Sequence, residues 1–393
     1  METEKLYYQD PYLTAFTARV LSCEKSKSGW AVVLDRTAFY PEGGGQPEDH
    51  GTLGAVQVTD VHETKGVIFH TCDGPVEIGT QVAGAVDWPR RFDHMQQHCG
   101  EHMLSYAFYK LFGAHNVGFH MSADMVGIDL DKEVDWQQAL QAERFTNRQI
   151  QEDRPITTKL VPAEEAAKMN LRKFNDKLTG ILRIVSVEGS DSCTCCGTHP
   201  TSSGMVGLVK IFKVEKHKEG SRVSFLCGRE ALERVEQYML AALDASNLLS
   251  IKETELPDGV ARLQQEKKEL SERLTECTGK LLEYRIAEMQ AHPTATKAGH
   301  KKFVFLEPDM MPKEAKALAK RLGEIPESFS AIFYRNGHTN IDVIVVADEI
   351  AHPAAVYFWI LLPFISYDTS SGMLSNILVF ANSSTKLRTF IIT

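Results

Sequence analysis

The stretch Asp87–Gly113, DWPRRFDHMQQHCGEHMLSYAFYKLFG, marks a change from strand patterning to helix patterning along the chain. Its apolar residues recur near helical spacing, at Met95, Cys99, Leu104, Ala107, Phe108 and Leu111. Gly113 provides a stop signal after the last of them. The stretch therefore predicts a helix between a β-rich N-terminal segment and a mixed segment of strands and helices.

Segments rich in Val, Ile, Thr and aromatic residues precede this helix, namely TAFTARVLSCEK, WAVVLDRTAFY, GAVQVTDVHE and GVIFHTC. Such segments, with Gly and Asp between them, favour short strands. We therefore predict a small β-barrel domain over residues 1–90. The interrupting stretch Pro41–Gly51, PEGGGQPEDHG, holds four glycines and two prolines, so it is predicted to be a loop.

Two alternations of strand and helix follow, and then a hairpin with its turn at KEGS. Together they predict an α+β core over residues 91–228. Residues 229–292 are predicted to form a helical hairpin or short coiled coil. The apolar seam positions of that segment are Val260, Leu263, Leu270, Leu274, Cys277, Leu281 and Tyr284. A β-α-β-β pattern then predicts a small C-terminal α/β domain over residues 300–393, so the fold class is α+β.

The chain has 393 residues, with 43 basic and 52 acidic side chains and a net charge of −9. This balance argues against indiscriminate binding to nucleic acid or to an anionic membrane, but it allows a local basic face. Two basic clusters, within 168–183 and 210–222, bracket a cysteine-rich loop. We expect neither a secretory signal nor a membrane span, since the first residues are polar and acidic and no apolar run reaches the roughly 18 residues that a span needs. The cytosol is the expected location, where the cysteines stay reduced.

Three histidines, His94, His98 and His102, follow one another at intervals of four residues in the predicted helix. Histidines at i and i+4 direct two imidazoles at one spot, which is the geometry that places two nitrogens on one zinc ion. Either the first two or the last two can form such a pair. A polar helix surface without metal is the alternative explanation.

A second candidate segment, DSCTCCGTHP, runs from Asp191 to Pro200. Within it Cys195 and His199 repeat the four-residue interval. Two helix imidazoles, one thiolate and one further imidazole make up a tetrahedral zinc site. A redox pair of Cys193 and Cys196 stays open as an alternative, although no thioredoxin-like context precedes it.

The glycine-rich stretch GGGQ, Gly43 to Gln46, lacks the Lys-Ser/Thr of a phosphate-binding P-loop and the spacing of a dinucleotide fingerprint. Consecutive glycines allow positive φ and close approach of a ligand to the backbone. Gln46 adds both a donor and an acceptor. A ligand-binding loop and an ordinary surface hairpin loop both fit this stretch.

Four motifs stand in order along residues 5–228: FYPEGGGQPEDHG, RRFDHMQQHCGEHMLS, VGFHMSADMVGIDLD and CCGTHP. In order and spacing they resemble freestanding alanyl-tRNA editing proteins of the AlaX type, long class, and the editing domain of alanyl-tRNA synthetase. The resemblance implies that residues 91–228 form an editing core and that the chain is an aminoacyl-tRNA deacylase. The implied substrate is tRNA(Ala) mischarged with serine or glycine, and the implied cofactor is one Zn²⁺ per chain.

The resemblance also implies roles for individual residues. The zinc ligands are His98, His102, Cys195 and His199. His94 is then a structural residue, and a zinc-associated water is the expected nucleophile. The implied substrate-binding residues are the glycine-rich loop, Gly43, Gly44, Gly45 and Gln46, together with Thr37, His120 and Thr198. Thr37, Gln46, His120 and Thr198 are the candidates for reading the serine hydroxyl.

Other functions stay open at this point. One is a zinc-containing protein that binds tRNA or a partner without deacylase activity, and another is a zinc hydrolase of a different ester or amide. Glu101 precedes the second histidine of H-C-G-E-H, so its position differs from that of the base in H-E-x-x-H. A homodimer through the helical segment is a further expectation. The C-terminal stretch 350–393 departs from the long-class pattern, since it has one glycine and little charge.

Overall fold

The computed structural model describes residues 2–122, 124–174, 179–291, 294–295, 301–307, 310–326, 328–336, 340–347, 374–381 and 388–390. The chain divides into two compact units, Met1–Leu248 and Leu249–Thr393. Helices and β-sheets occur in both units, which confirms the α+β class. No helix in the described ranges combines the length and the apolar character that a membrane span requires.

The first unit begins with a small sheet that closes on itself. Its elements are β1 (Glu4–Lys5), α1 (Leu6–Gln9), β2 (Ala15–Ser26), β3 (Gly29–Leu34), β4 (Arg36–Thr37), β5 (Gly51–Leu53), β6 (Val56–Thr64), β7 (Val67–Cys72) and β8 (Gln81–Val86). Six strands form a closed barrel in the order β2-β3-β7-β6-β5-β8. Strand β8 was missing from the sequence prediction, yet it pairs with both β2 and β5 and so closes the sheet. Its small residues give a weak strand signal, although burial alternates along it.

A buried histidine lies inside this barrel. The Nδ1 atom of His70 is 3.0 Å from the carbonyl oxygen of Val32, and its Nε2 atom is 2.8 Å from the hydroxyl of Thr37. Because a carbonyl only accepts, Nδ1 carries the proton and the Thr37 hydroxyl donates to Nε2. Burial lowers the pKa of His70 from its ordinary 6.5 to about 4. The imidazole is therefore neutral in the folded protein over most of the physiological range.

We expect His70 to make the fold sensitive to acid. The unfolded chain takes up a proton below pH 6.5, whereas the folded chain does so only near pH 4. The stability contributed by the neutral imidazole is therefore complete above pH 6.5 and is lost as the pH falls toward 4, by roughly 2–3 kcal/mol. Urea unfolding of wild type and His70→Gln between pH 4 and 8 should show a shallower slope in the variant. His115→Gln, on an exposed side chain that does not act on His70, is the control, and equal slopes in all three proteins would contradict the prediction.

The rest of the first unit packs helices against a second sheet. Its elements are α2 (Trp88–Phe112), β9 (Asn116–Met121), β10 (Val126–Leu130), α3 (Trp136–Gln151), β11 (Ile156–Pro162), α4 (Ala163–Ala166), β12 (Ile181–Val187), β13 (Ser192–Thr194), β14 (Val209–His217), β15 (Gly220–Cys227) and α5 (Gly228–Leu249). One sheet has the order β14-β15-β10-β9 and another β11-β12-β13. The β14–β15 hairpin turns at Lys218–Glu219, as the KEGS turn predicted.

Helix α2 has the start and the end that its sequence predicts. The Asp87 side chain accepts from the backbone N–H of Arg90 at the N-cap, and Gly113 ends the helix in the left-handed region with φ 61°. Its apolar side, which includes Met103, Leu104 and Phe108, enters the core shared with β10, α3 and β15. This packing leaves the histidine face of α2 directed away from that core.

The second unit contains a long helix and a six-stranded sheet. Its elements are α6 (Leu256–Ala291), β16 (Thr294–Ala295), β17 (Lys301–Glu307), α7 (Pro312–Leu322), β18 (Ser328–Asn336), β19 (Asn340–Ala347), β20 (Leu374–Ala381) and β21 (Arg388–Phe390). The predicted β-α-β-β pattern corresponds to β17, α7, β18 and β19. Strand β20 pairs in parallel with β19, so part of the 350–393 stretch, which departs from the long-class pattern, joins the sheet of this domain. Residues 350–373, 382–387 and 391–393 of that stretch lie outside the described residues.

Candidate metal centre and the cleft beside it

The candidate site forms where α2 meets the loop that follows β13. Strand β13 pairs with β12, and Arg183 of β12 holds the loop. Its Nη1 donates to the carbonyl oxygens of Cys195 at 2.9 Å and Gly197 at 2.8 Å. A Cβ atom on Gly197 would lie 2.3 Å from the ring of His98, so this close approach requires glycine. The loop is thereby pressed against the histidine face of the helix.

Four side chains converge at this contact: His98, His102, Cys195 and His199. The Sγ atom of Cys195 lies 3.2 Å from Nε2 of His98 and 3.2 Å from Nε2 of His199. One ligand atom from each of the four residues lies within 4.8 Å of the others. Three imidazoles and one thiolate are a donor set that suits tetrahedral Zn²⁺, and these short separations fit Zn–N and Zn–S bonds of about 2.0–2.3 Å. His94 is outside this group.

The electrostatic environment favours the ligand forms of Cys195 and His199. Burial raises the pKa of the Cys195 thiol, but the imidazoles of His98, His199 and His102 outweigh burial and hold this pKa well below its ordinary value. Burial lowers the pKa of His199 to about 3, so its imidazole is neutral. A thiolate and neutral imidazoles are the forms that bind metal. Burial lowers the pKa of His102, but Cys193, Cys195 and Asp191 outweigh burial and raise this pKa well above its ordinary value, so a metal bound there displaces a proton.

Asp191 and Arg172 fix the orientation of His102. Oδ2 of Asp191 lies 3.1 Å from Nδ1 of His102, and Arg172 donates two hydrogen bonds to the same carboxylate at 2.7 and 2.9 Å. Burial raises the pKa of Asp191, but the hydrogen bonds from His102 and Arg172 outweigh it and lower this pKa. No interval in the sequence links residue 191 to residue 172, so this pair could not be predicted from spacing.

Cys193 contributes to a second group of possible ligands. Its Sγ lies 3.3 Å from Nδ1 of His102, and His102, Asp191 and Cys193 form a candidate cluster of their own. Cys196 is in neither cluster. Its Sγ is 3.8 Å from the hydroxyl of Tyr40, and a Cβ atom on Gly44 would lie 2.7 Å from it. The three cysteines of the loop therefore have three different surroundings.

Gln46 connects the glycine-rich loop to the histidines. Gly43 and Gln46 exchange backbone hydrogen bonds of 3.0 Å around Gly44 and Gly45, whose φ angles are 61° and 83°. Two successive positive φ angles favour glycine at both positions. The Oε1 atom of Gln46 lies 3.1 Å from Nδ1 of His98 and accepts from the backbone N–H of Thr198. A carbonyl oxygen at Nδ1 requires the proton there and leaves Nε2 free to face Cys195.

Replacement of Gln46 by alanine is expected to weaken metal binding. The change removes the acceptor that fixes the tautomer of His98, and loss of such an outer partner costs about 10–100-fold in metal affinity. Competition for zinc with a chromophoric chelator measures this affinity. Gln57→Ala, on an exposed side chain of β6, is the matched control. Equal zinc affinity in the two variants would show that Gln46 does not position His98.

A cleft of about 750 Å³ opens beside the four converging side chains. Of the predicted substrate-binding residues, Gly44 and Gly45 line it. Gln46 and Thr198 are buried behind it and bonded to each other, at 2.8 Å from Nε2 to Oγ1. Contact of substrate with these residues and with Gly43 stays a prediction.

The structure places the other two predicted substrate-binding residues elsewhere. Thr37 is buried in the barrel, where its hydroxyl bonds His70. His120 has a side chain 60% exposed beside Asp129. Neither is among the residues that line the cleft. The polar side chains that do line it include Glu101, Asn116 and Thr194, which the sequence analysis did not select as substrate-binding residues.

Two segments of the chain match family models of aminoacyl-tRNA synthetases. Residues 3–90 match the model of tRNA synthetases class II (A). Residues 182–223 match the threonyl and alanyl tRNA synthetase second additional domain. The second match contains the loop with Cys195 and His199. The chain therefore belongs to the class of proteins that carry the second additional domain of threonyl and alanyl tRNA synthetases.

Comparison with individual proteins narrows this class. The chain is 33% identical over 293 residues to the alanyl-tRNA editing protein AlaX-L of Pyrococcus horikoshii, covering 72% of both chains. It is 32% identical over 276 residues to the alanyl-tRNA editing protein Aarsd1 of Mus musculus, covering 66% of this chain and 67% of the other. The chain belongs to the alanyl-tRNA editing protein family.

Full-length synthetases are also similar to this chain. The alanine–tRNA ligase of Pyrococcus abyssi is 34% identical over 304 residues, which are 74% of this chain and 33% of the ligase. The chain thus spans about a third of the length of the ligases that it matches.

Proposed function

We propose that this protein is a trans-editing hydrolase that deacylates tRNA(Ala) mischarged with serine, and with glycine as a second substrate. The observation that carries the proposal is the group His98, His102, Cys195 and His199 at the wall of a cleft large enough for an aminoacyl group. Membership of the alanyl-tRNA editing family supports it. Editing of serine and glycine has a physical purpose, because a pocket for alanine rejects a smaller or merely hydroxylated side chain weakly.

One Zn²⁺ per chain would be held by these four side chains. When bound, the ion supplies Lewis acidity toward a carbonyl oxygen or a water. The protein's own contribution is orientation: Gln46 holds His98, and Asp191 with Arg172 holds His102. The backbone of Gly44 and Gly45 lines the cleft, where Cβ atoms would lie 2.7 Å from Sγ of Cys196 and 2.4 Å from the ring of Phe119, so the close packing of this loop requires glycine.

The basic side chains indicate from which side the tRNA end approaches. The cluster within 210–222 is largely neutralised, since Lys210 pairs with Glu143 and Arg222 with Asp129. In the other cluster Lys173 is exposed and lines the cleft. Phosphate contacts dominate the electrostatic part of nucleic-acid affinity. We therefore place the tRNA backbone on the side of Lys173.

The helical segment is the place proposed for self-association. Seam residues of α6 are exposed, among them Leu263, Leu270 and Leu274. An exposed heptad seam favours a coiled-coil contact with a second copy. The pairing of α5 with α6 in a hairpin stays a prediction.

The direct test measures hydrolysis of seryl-, glycyl- and alanyl-tRNA(Ala) by the zinc-loaded protein. We expect seryl-tRNA(Ala) to be cleaved well above the buffer rate and alanyl-tRNA(Ala) to be spared. Binding of tRNA without cleavage of any ester would favour a zinc-containing binding protein instead. Cleavage of small aminoacyl esters at the same rate without tRNA would favour a hydrolase of another class.

A further inference from the structure

Among the described residues, Glu101 is the carboxylate that lines the candidate substrate cleft. Glu101 of α2 is only 5% exposed, yet it lines the cleft next to His102. Its Oε1 atom accepts from the Ser105 hydroxyl at 2.6 Å and from Nδ2 of Asn116 at 2.6 Å. Asn116 also donates to the Ser105 hydroxyl at 2.9 Å. These contacts hold the carboxylate group in one orientation.

The second oxygen of this carboxylate remains available. Oε2 lies 3.9 Å from Nε2 of His102 and has no hydrogen-bond partner among the described residues. A buried carboxylate with one free oxygen favours a cationic or hydrogen-bond-donating ligand, because an unpaired buried charge is costly. Oε2 is therefore placed to receive a ligand group close to the candidate metal.

Among the described residues that line the cleft, Arg172 attracts Glu101 electrostatically and His102 lies 3.9 Å from Oε2, but neither hydrogen-bonds to that oxygen. Besides the histidines and cysteines, the charged residues lining it in the described part of the chain are Glu101, Arg172 and Lys173. Arg172 is bound to Asp191 through two hydrogen bonds. Lys173 is exposed, whereas Glu101 is buried. A positive charge that enters the cleft beside the metal therefore meets a carboxylate already fixed in position.

We propose that Glu101 is a substrate-binding residue whose Oε2 receives the α-ammonium group of the aminoacyl ester. The inference rests on the proposed function and deepens it. Every aminoacyl ester carries this ammonium one carbon from the ester carbonyl, whatever its side chain. A carboxylate next to the metal ligand His102 thus anchors the ammonium while the neighbouring carbonyl lies at the candidate metal. Recognition of the common ammonium explains how one cleft accepts both a seryl and a glycyl ester.

Binding of two stable analogues tests this role without hydrolysis. The first is 3′-deoxy-3′-(serylamino)adenosine, an amide in place of the ester. The second carries a 3-hydroxypropanoyl group, which keeps the serine hydroxyl and lacks only the ammonium. We expect the zinc-loaded wild type to bind the first roughly tenfold or more tightly than the second, measured by calorimetry. Equal affinities in the wild type would overturn the proposal by themselves.

The variant Glu101→Gln keeps the size of the side chain and removes its charge. We expect Glu101→Gln to bind the two analogues with affinities within about twofold of each other. The control is Glu42→Gln, which changes an exposed glutamate next to the glycine-rich loop and should keep the wild-type preference. Zinc content and thermal midpoint check that the variant is folded. Retention of the full preference in Glu101→Gln would overturn the proposal. A fall in kcat with an unchanged preference would do so as well, because that result indicates a proton-transfer role.

Hydrolysis of seryl-tRNA(Ala) separates this inference from the proposed function. The wild type should cleave it, and Glu101→Gln should raise KM by about tenfold or more with a smaller effect on kcat. The wild type could show the Glu101-dependent preference for the ammonium analogue and yet cleave no ester. That result would contradict the proposed deacylase function. The ammonium site would then stand as part of an aminoacyl-binding protein.

Discussion

Replacement of Cys195 by alanine is expected to remove both zinc and deacylase activity. Cys195 is the one thiolate of the four-residue group, and its Sγ lies 3.2 Å from two of the three imidazole partners. Its loss leaves three histidines and removes the negative charge that balances a divalent ion. Since loss of an outer partner alone costs about 10–100-fold, removal of a ligand should lower activity on seryl-tRNA(Ala) by more than about a hundredfold.

Metal analysis of the purified variant, with deacylation assayed in parallel, measures this effect. We expect about one zinc per chain in the wild type, since the four side chains form one site, and little in Cys195→Ala. The control is Cys277→Ala, which changes an exposed cysteine of α6 outside both candidate clusters and outside the cleft lining. It should keep its zinc and its activity. Unchanged zinc content in Cys195→Ala would move the metal to the alternative group of His102, Asp191 and Cys193.

Replacement of Arg91 by alanine is expected to cause the largest loss of stability. Arg91 is 1% exposed and Asp49 is fully buried. The Nε atom of Arg91 lies 2.9 Å from both carboxylate oxygens of Asp49. The Nη1 atom of Arg91 donates to the carbonyl oxygen of Pro11 at 2.9 Å, and its Nη2 atom donates to the carbonyl oxygen of Ala38 at 2.6 Å. Without the guanidinium a buried carboxylate is left unpaired, which costs about 3–5 kcal/mol.

Urea unfolding of Arg91→Ala measures this cost. The neighbouring residue provides the control, because Arg90 pairs with Glu48 at 3.2 Å through side chains that are 29% and 19% exposed. Arg90→Ala should lose no more than about 1 kcal/mol. The double variant Arg91→Met/Asp49→Leu should recover much of the loss, since it leaves no unpaired charge. Equal losses in Arg91→Ala and Arg90→Ala would show that the buried pair does not hold the barrel to α2.

The ion pair also illustrates a limit of sequence reasoning. Arg91 and Asp49 are 42 positions apart, and each belongs to a segment that looks polar and exposed. No periodicity reveals that they meet, because contacts between segments depend on how the barrel and α2 pack. For the same reason, the contacts of Asp191 with Arg172 and of Glu101 with Asn116 could not be predicted from the sequence. All three are buried polar contacts between elements.

The helices and most strands follow from local signals. The hairpin β14–β15 and the helix α3 agree with the sequence because their apolar patterns and turn residues are strong. Strand β8 and strand β9 were missed, since the short segments carry alanine, glycine and polar residues. Such segments form strands because they pair with neighbouring strands, and the local sequence does not reveal this pairing.

By itself, the sequence determined which segments carry metal-ligating chemistry and that two of them share a four-residue interval. The interval is readable because one turn of helix brings residues four apart to the same face. The resemblance implied that His98 and His102 act with Cys195 and His199, and the tertiary structure brings these four side chains together. Only the tertiary structure decided that Gln46 holds His98 and that Thr37 lies away from the cleft. These depend on the docking of α2 between barrel and loop, where burial of distant side chains, rather than spacing along the chain, sets which atoms come into contact.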